Sequence, residues 1–137
     1  MGTFSYPLEV ISADGARSET VNALVDTGST FTCLPANLLR ELGVVPYRRI
    51  QSELADGSVV EDDLGIVHIR MDGIVTPTIA IFADEGAPAL LGAYTLEGAL
   101  LVVDPVQQRL APTHALRYGK RACPRKPVYD PQGVVNA

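Results

Sequence analysis

Hydrophobic and polar positions along this chain alternate in short runs separated by turn residues, the pattern of strands rather than of long helices. Thr3 to Ile11 holds β-branched and aromatic residues and is followed by Ala13-Asp14-Gly15, a hairpin signal, so Thr20 to Val25 reads as the returning strand. Phe31 to Leu34 is a further short strand. Leu38, Leu39 and Leu42 then recur at amphipathic spacing between Pro35 and Gly43, which predicts a compact helix whose leucines face the core.

Two more hairpins follow. Arg48 to Leu54 and Val59 to Val60 flank Ala55-Asp56-Gly57-Ser58, the strongest short turn signal in the chain, and Glu61, Asp62 and Asp63 make the returning arm polar and solvent-facing. Gly65 to Met71 alternates cleanly, with Val67, Ile69 and Met71 on one face and Ile66, His68 and Arg70 on the other. His68 is therefore expected at the surface, and neither it nor His114 is assigned chemistry. After the turn at Asp72-Gly73, Val75 to Phe82 is a strand whose Pro77 predicts an edge position or a bulge. Leu90-Leu91 reads as a buried strand, Tyr94 to Ala99 as a short helix, and Leu100 to Val103 and Arg109 to Ala111 as closing strands. Beyond Pro112 the prolines and glycine predict an extended or wrapping tail, in which Val128, Tyr129, Val134 and Val135 offer apolar area for docking on the body.

Composition narrows the class. At 137 residues the chain is of one-domain size, and 47% hydrophobic content with only 6% aromatic residues and no Trp favours an all-β core of Val, Leu and Ile. The net charge of -5 is uneven, because Arg117, Lys120, Arg121, Arg125 and Lys126 crowd into the tail and leave the body more acidic than the total. Such a body repels phosphate backbones, so nucleic acid is not an expected partner. Cys33 and Cys123 lack metal-type spacing, which argues against a zinc site or a disulfide scaffold and for a reducing, cytoplasmic setting. No secretory signal is visible in Met1 to Val10, and the apolar stretch from Ala87 to Val103 is interrupted by Pro88, Gly92, Glu97 and Gly98, so a soluble protein with no membrane partner is expected.

Candidate chemistry centres on Ala23-Leu24-Val25-Asp26-Thr27-Gly28-Ser29-Thr30, where a buried strand end delivers an acid into a hydroxyl-rich turn. Taken alone, Asp26-Thr27-Gly28 describes first of all a loop in which the Asp only turns the chain. A second stretch, Leu90-Leu91-Gly92 leading into a helical pattern, and the Asp56-Gly57 hairpin between the two complete an ordered set of three motifs. Together they resemble the retroviral-type aspartic proteases, the retropepsins, over Thr3 to Pro112. The resemblance implies an all-β, single-domain, retropepsin-like closed β-barrel with one or two short helices over residues 1–112, followed by a basic tail over 113–137.

It also implies roles. Asp26 would be the catalytic carboxylate, with no metal or cofactor. Thr27 would hydrogen-bond across a two-fold axis, Gly28 would let two loops approach, and Ser29 would orient the outer carboxylate oxygen. Ala55, Asp56, Gly57 and Ser58 would form a flap over an extended peptide, and Leu90, Leu91 and Gly92 would pack behind the catalytic loop. A carboxylate dyad needs two acids, and this chain has one such loop, so a homodimer acting on a peptide or protein substrate is expected. Two other readings compete: a phosphoryl-transfer loop, which lacks the α/β body and metal acids it would need, and a non-catalytic dimerisation or peptide-binding module on the same fold.

Overall fold

The computed structural model describes residues 4–118. Strand β1 (Ser5–Ile11) and strand β2 (Ser18–Val25) form the first hairpin, in antiparallel register from Ser5 opposite Leu24 to Ile11 opposite Ser18. Its turn is held by Asp14, whose Oδ1 accepts from the Ser12 hydroxyl at 2.7 Å and the Ala16 amide at 3.0 Å. Leu8, Val10, Ala23 and Val25 point inward and are buried, as period-two alternation requires.

Strand β3 (Thr32–Pro35) runs directly into helix α1 (Ala36–Glu41). Pro35 ends the strand and caps the helix, so the helix starts one residue later than the proline. Leu39 and Leu42 are buried, and Leu38 is half-buried against the same core. Strands β4 (Arg48–Glu53), β5 (Val59–Met71) and β6 (Ile74–Ala83) form a meander, followed by β7 (Leu90–Leu91), helix α2 (Ala93–Gly98), β8 (Leu101–Asp104) and β9 (Arg109–Pro112). The all-β class with two short helices is thus observed. The main sheet has the order β1-β2-β7-β3-β6-β5-β4, and an extra pairing of Glu9–Ile11 with His68–Arg70 brings β1 onto β5. β8 and β9 pair separately.

Two features differ from the sequence reading. β5 is one 13-residue strand that serves both hairpins, not two segments parted by acids. The acids stay in the strand because Arg49 lies directly opposite Asp63 and bonds it at 3.0 Å, and reaches Glu61 at 3.3 Å. Asp62 and Asp63 are half-buried rather than fully solvated. β6 is an interior strand from Ala80 on, where β3 joins β5 in flanking it, and keeps an edge position locally, at Pro77. Its neighbour β3 pairs only with Ala80–Ala83, so Pro77, opposite His68, has a ladder partner on one side alone and its missing N–H costs no second ladder.

Val67, Ile69 and Met71 are buried and Ile66, His68 and Arg70 are exposed, so the alternation of that segment is read correctly from sequence. Among the described residues no helix is long and apolar enough to cross a membrane. Residues 113–118 form no helix or strand, and Cys123, Val128, Tyr129, Val134 and Val135, with most of the tail's cations, lie outside the described residues.

Candidate active site

Asp26 is fixed by its place at the end of β2. The Val25 amide donates to the Phe4 carbonyl at 2.9 Å on one side, and the Asp26 amide donates to the Leu91 carbonyl at 3.0 Å on the other. β2 and β7 run parallel, Leu24 beside Leu90 and Val25 beside Leu91, so the acid leaves the sheet where β7 turns into α2. The loop then folds on itself: the Gly28 amide donates to Asp26 Oδ1 at 3.0 Å and the Ser29 amide to the Asp26 carbonyl at 3.1 Å. An N–H aimed at a carboxylate oxygen fixes its direction.

The far side of the loop is tied to α2. Amides at the start of a helix have no partner within it, and here those of Ala93 and Tyr94 donate to the carbonyls of Ser29 at 2.8 Å and Thr30 at 2.9 Å. Contact this close requires a residue without a side chain at 92. A Cβ on Gly92 would stand 2.4 Å from the Phe31 carbonyl oxygen and 2.8 Å from that of Ser29. Below this contact lies a buried chain of hydroxyls. The Gly92 amide donates to Thr32 Oγ1 at 3.1 Å, Thr32 Oγ1 is 2.6 Å from Thr95 Oγ1, and Thr95 Oγ1 is 2.8 Å from Thr78 Oγ1. Leu90, Leu91 and Gly92 therefore pack against the Asp26 loop.

The Ser29 hydroxyl donates to the Phe31 carbonyl at 2.8 Å. The Phe31 ring in turn leans on Tyr94, centroids 5.6 Å apart. Thr27 and Gly28 are exposed on the outer surface of the loop.

A cleft of about 610 Å³ opens over Asp26. The loop from Gly28 to Phe31 makes one wall, Ile81 and Leu90 lie between, and the hairpin of β4 and β5 makes the other through Ile50, Ser52, Leu54, Ala55 and Asp62. Of the expected flap residues, Ala55 reaches the cleft, while Asp56, Gly57 and Ser58 build the tip. Asp56 Oδ1 accepts from the Ser58 amide at 2.9 Å and its hydroxyl at 2.6 Å, and Gly57 takes a left-handed φ of 89° that favours glycine. Those bonds from Ser58 hold the Asp56 carboxyl below the usual carboxylate range.

Sequence reasoning missed Ile50, Ser52 and Asp62 as cleft residues. Period-two alternation through β4 places Ile50 and Ser52 on one face, but only the folded hairpin shows that this face looks onto the cleft. It also missed Cys33, whose thiol is pushed up chiefly by burial, partly offset by the Ser29 hydroxyl, with the Asp62 and Asp26 carboxylates pushing the same way as burial. A thiol so shifted stays neutral and is a poor nucleophile. Among the described residues no three His, Cys, Asp or Glu side chains gather as a metal site needs.

Residues 15–98, more than half of the chain, match the family model described as gag-polyprotein putative aspartyl protease. The chain belongs to this family. The matched span runs from the first hairpin through the Asp26 loop and the β4–β5 hairpin to the end of α2. The retropepsin resemblance is thereby supported at the family level. No curated protein matches the sequence. Similar solved structures include the simian foamy virus (mac) protease, at 16% identity over 67% of this chain and 90% of that one, with a TM-score of 0.49. The EIAV protease in complex with the inhibitor HBY-793 aligns at 22% identity over 75% of this chain and 94% of that one, TM-score 0.47. A Legionella pneumophila protein of unknown function aligns at 15% identity over 75% and 92%, TM-score 0.48.

Proposed function

We propose that this gag-type aspartyl protease family member is an aspartic endopeptidase that works as a homodimer, with Asp26 of each copy forming one shared dyad. The observation that carries the reading is the placement of Asp26: a carboxylate aimed by the Gly28 amide into a cleft large enough for an extended peptide and walled by a hairpin. A 610 Å³ cleft is within the range of ligand sites, and the β4–β5 hairpin offers backbone groups for strand addition. In this reading Ala55, Asp56, Gly57 and Ser58 are the moving tip, and the catalytic domain spans residues 1–112 with the tail of 113–137 outside it.

One carboxylate cannot serve as base and acid in the same step, so the second must come from the partner's Asp26 across a two-fold axis. Thr27 and Gly28, exposed on the loop, are the residues that face that axis. Two carboxyls held this close share one proton, because both cannot ionise together. The ionised one takes a proton from a water as its oxygen attacks the scissile carbonyl carbon. The protonated one gives its proton to the carbonyl oxygen, yielding a neutral tetrahedral diol. The carboxyl that took the proton from water then gives it to the amide nitrogen while the other takes a proton from a diol hydroxyl, the C–N bond breaks, and acid and amine leave with one proton again on the dyad. No metal or cofactor enters this sequence. A peptide or protein is the substrate, neither nucleic acid nor membrane is a partner, and the setting is cytoplasmic.

Asp26→Asn tests the reading, since it keeps the shape and the acceptor for Gly28 N–H but cannot act as base. Cleavage of a peptide mixture should vanish in the variant while light scattering still reports a dimer. Cleavage that survives in Asp26→Asn would falsify the assignment, and peptides bound but left uncut by the wild type would make the chain a peptide-binding module instead.

A further inference from the structure

Alternation along the β4–β5 hairpin sorts its charges onto two faces. Arg49, Glu61 and Asp63 lie on the outer face and neutralise one another through contacts of 3.0 and 3.3 Å. Asp62 points the other way, on the face of Ile50 and Ser52 that walls the cleft. Its Oδ2 accepts from the Ser52 hydroxyl at 2.7 Å, and among the described residues it makes no ion pair. Among the described residues, the charged side chains lining the cleft are those of Asp26, Glu53 and Asp62.

A second groove of about 600 Å³ meets the cleft here, for Cys33, Leu54, Asp62 and Ile81 line both. Asp62 thus stands at the junction, half-buried between the flap and the loop bearing Asp84 and Glu85. Two cations line the second groove and both are engaged elsewhere: Arg40 lies over the Phe82 ring, 5.8 Å from its centroid, and Arg49 is held by Asp63 at 3.0 Å and Glu61 at 3.3 Å. A peptide filling the cleft would strip water from Asp62, and a carboxylate that loses water without gaining a cation is costly. A basic side chain entering the junction would restore that solvation through charge-assisted hydrogen bonds, whereas an acidic one would meet like charge.

We propose that Asp62 is a specificity-determining residue that selects peptides carrying a Lys or Arg side chain beside the scissile bond, positioned to reach the junction of the two grooves. The inference rests on the aspartic protease reading for the word scissile, and on the geometry of Asp62 alone for the charge preference. Ser52 is its positioning partner, holding one oxygen so that the other faces the incoming cation.

The test uses the full chain and matched peptides that differ only in Lys, Gln or Glu at one position, scanned along the sequence. At one position Lys should exceed Gln by about tenfold in kcat/KM, equivalent to about 1.4 kcal/mol, with Glu cut least. Asp62→Asn keeps an acceptor for the Ser52 hydroxyl and should bring the Lys-to-Gln ratio close to one, Asp62→Lys should favour Glu, and Glu19→Gln, exposed on β2 outside both grooves, should leave the ratio as it was. A wild-type ratio near one at every position, or a ratio that Asp62→Asn does not move, overturns the proposal and leaves the protease reading intact. If the wild type cuts nothing, the protease reading fails by itself. Fluorescence anisotropy with the same peptides on the Asp26→Asn chain then decides the charge preference: tighter binding of the Lys peptide that is lost on adding Asp62→Asn sustains the inference, and equal binding ends it.

Discussion

The hydroxyl oxygens of Thr32 and Thr95 stand 2.6 Å apart in the interior, both side chains wholly inaccessible to solvent. They join β3, which follows the Asp26 loop, to α2, whose first amides hold that loop. Thr78 of β6 bonds to the same Thr95 oxygen at 2.8 Å. Thr95→Val keeps the shape and removes the shared oxygen, so it leaves two buried hydroxyls short of a partner. A loss of about 1–3 kcal/mol in urea unfolding is expected. The double variant Thr78→Val with Thr95→Val should cost less than the two single changes summed, because the second substitution removes an orphaned hydroxyl. Strict additivity would show that the hydroxyls do not act as one network.

Gly92 is required by contact rather than by backbone freedom. Its φ of -96° is open to any residue, yet a Cβ would press to 2.4 Å on the Phe31 carbonyl oxygen. Gly92→Ala must push β7 and the Asp26 loop apart, at a cost of about 1–3 kcal/mol. Peptide cleavage should fall further than stability does, since the carboxylate rides on the displaced loop. An alanine variant that unfolds at the wild-type urea midpoint would show that the approach is looser than this.

A second glycine, Gly65 in β5, is closed in by side chains instead. A Cβ there would lie 2.7 Å from Val44 Cγ1 and 2.8 Å from Phe82 Cε1. Gly65→Ala should destabilise by about 1–3 kcal/mol through overpacking. Side chains can yield where backbone cannot, so Val44→Ala added to Gly65→Ala should recover part of the loss. The comparison is made by chemical denaturation of the two variants and Val44→Ala alone. A double variant less stable than the sum of its parts contradicts the assigned clash.

Acid should weaken the fold from several places at once. Hydrogen bonds from Arg70 and then Ser18 hold Glu9 below the usual carboxylate range, and bonds from the Ser12 hydroxyl and the Ala16 amide do the same for Asp14. Asp56 is held down by Ser58, and Asp104 by the Gln107 amide first and then Arg109. A carboxyl with a depressed folded pKa adds stability above its unfolded value and loses it as pH falls through the folded one. The melting temperature should therefore decline as pH drops below about 4. At the other end burial raises Cys33, and burial followed by the Asp72 charge raises Tyr6, so their contributions are complete at neutral pH and fade in alkali. Asp14→Asn, which keeps an acceptor that cannot titrate, should make the acid decline shallower in a melting series. A melting temperature flat to well below pH 4 would rule this linkage out.

Much of this architecture was legible from local pattern. The Asp26 turn, the Asp56-Gly57 hairpin, the leucines of α1 and the buried face Val67, Ile69 and Met71 each declare themselves within a few residues, because turn chemistry and side-chain periodicity are properties of neighbouring positions. Tertiary structure decided what depends on distant partners. Thr32 and Thr95 are 63 residues apart in the chain, and nothing near either marks its hydroxyl as half of a buried pair. Pro77 suggested an edge from its missing N–H, and since β3 stops short of it, β6 is flanked on both sides only from Ala80 on. Asp62 sits among acids that look alike in sequence, and only the orientation of the folded hairpin separates the one facing the cleft from Glu61 and Asp63, which Arg49 neutralises outside. Periodicity assigns residues to two faces of a strand, and long-range pairing alone determines what each face meets.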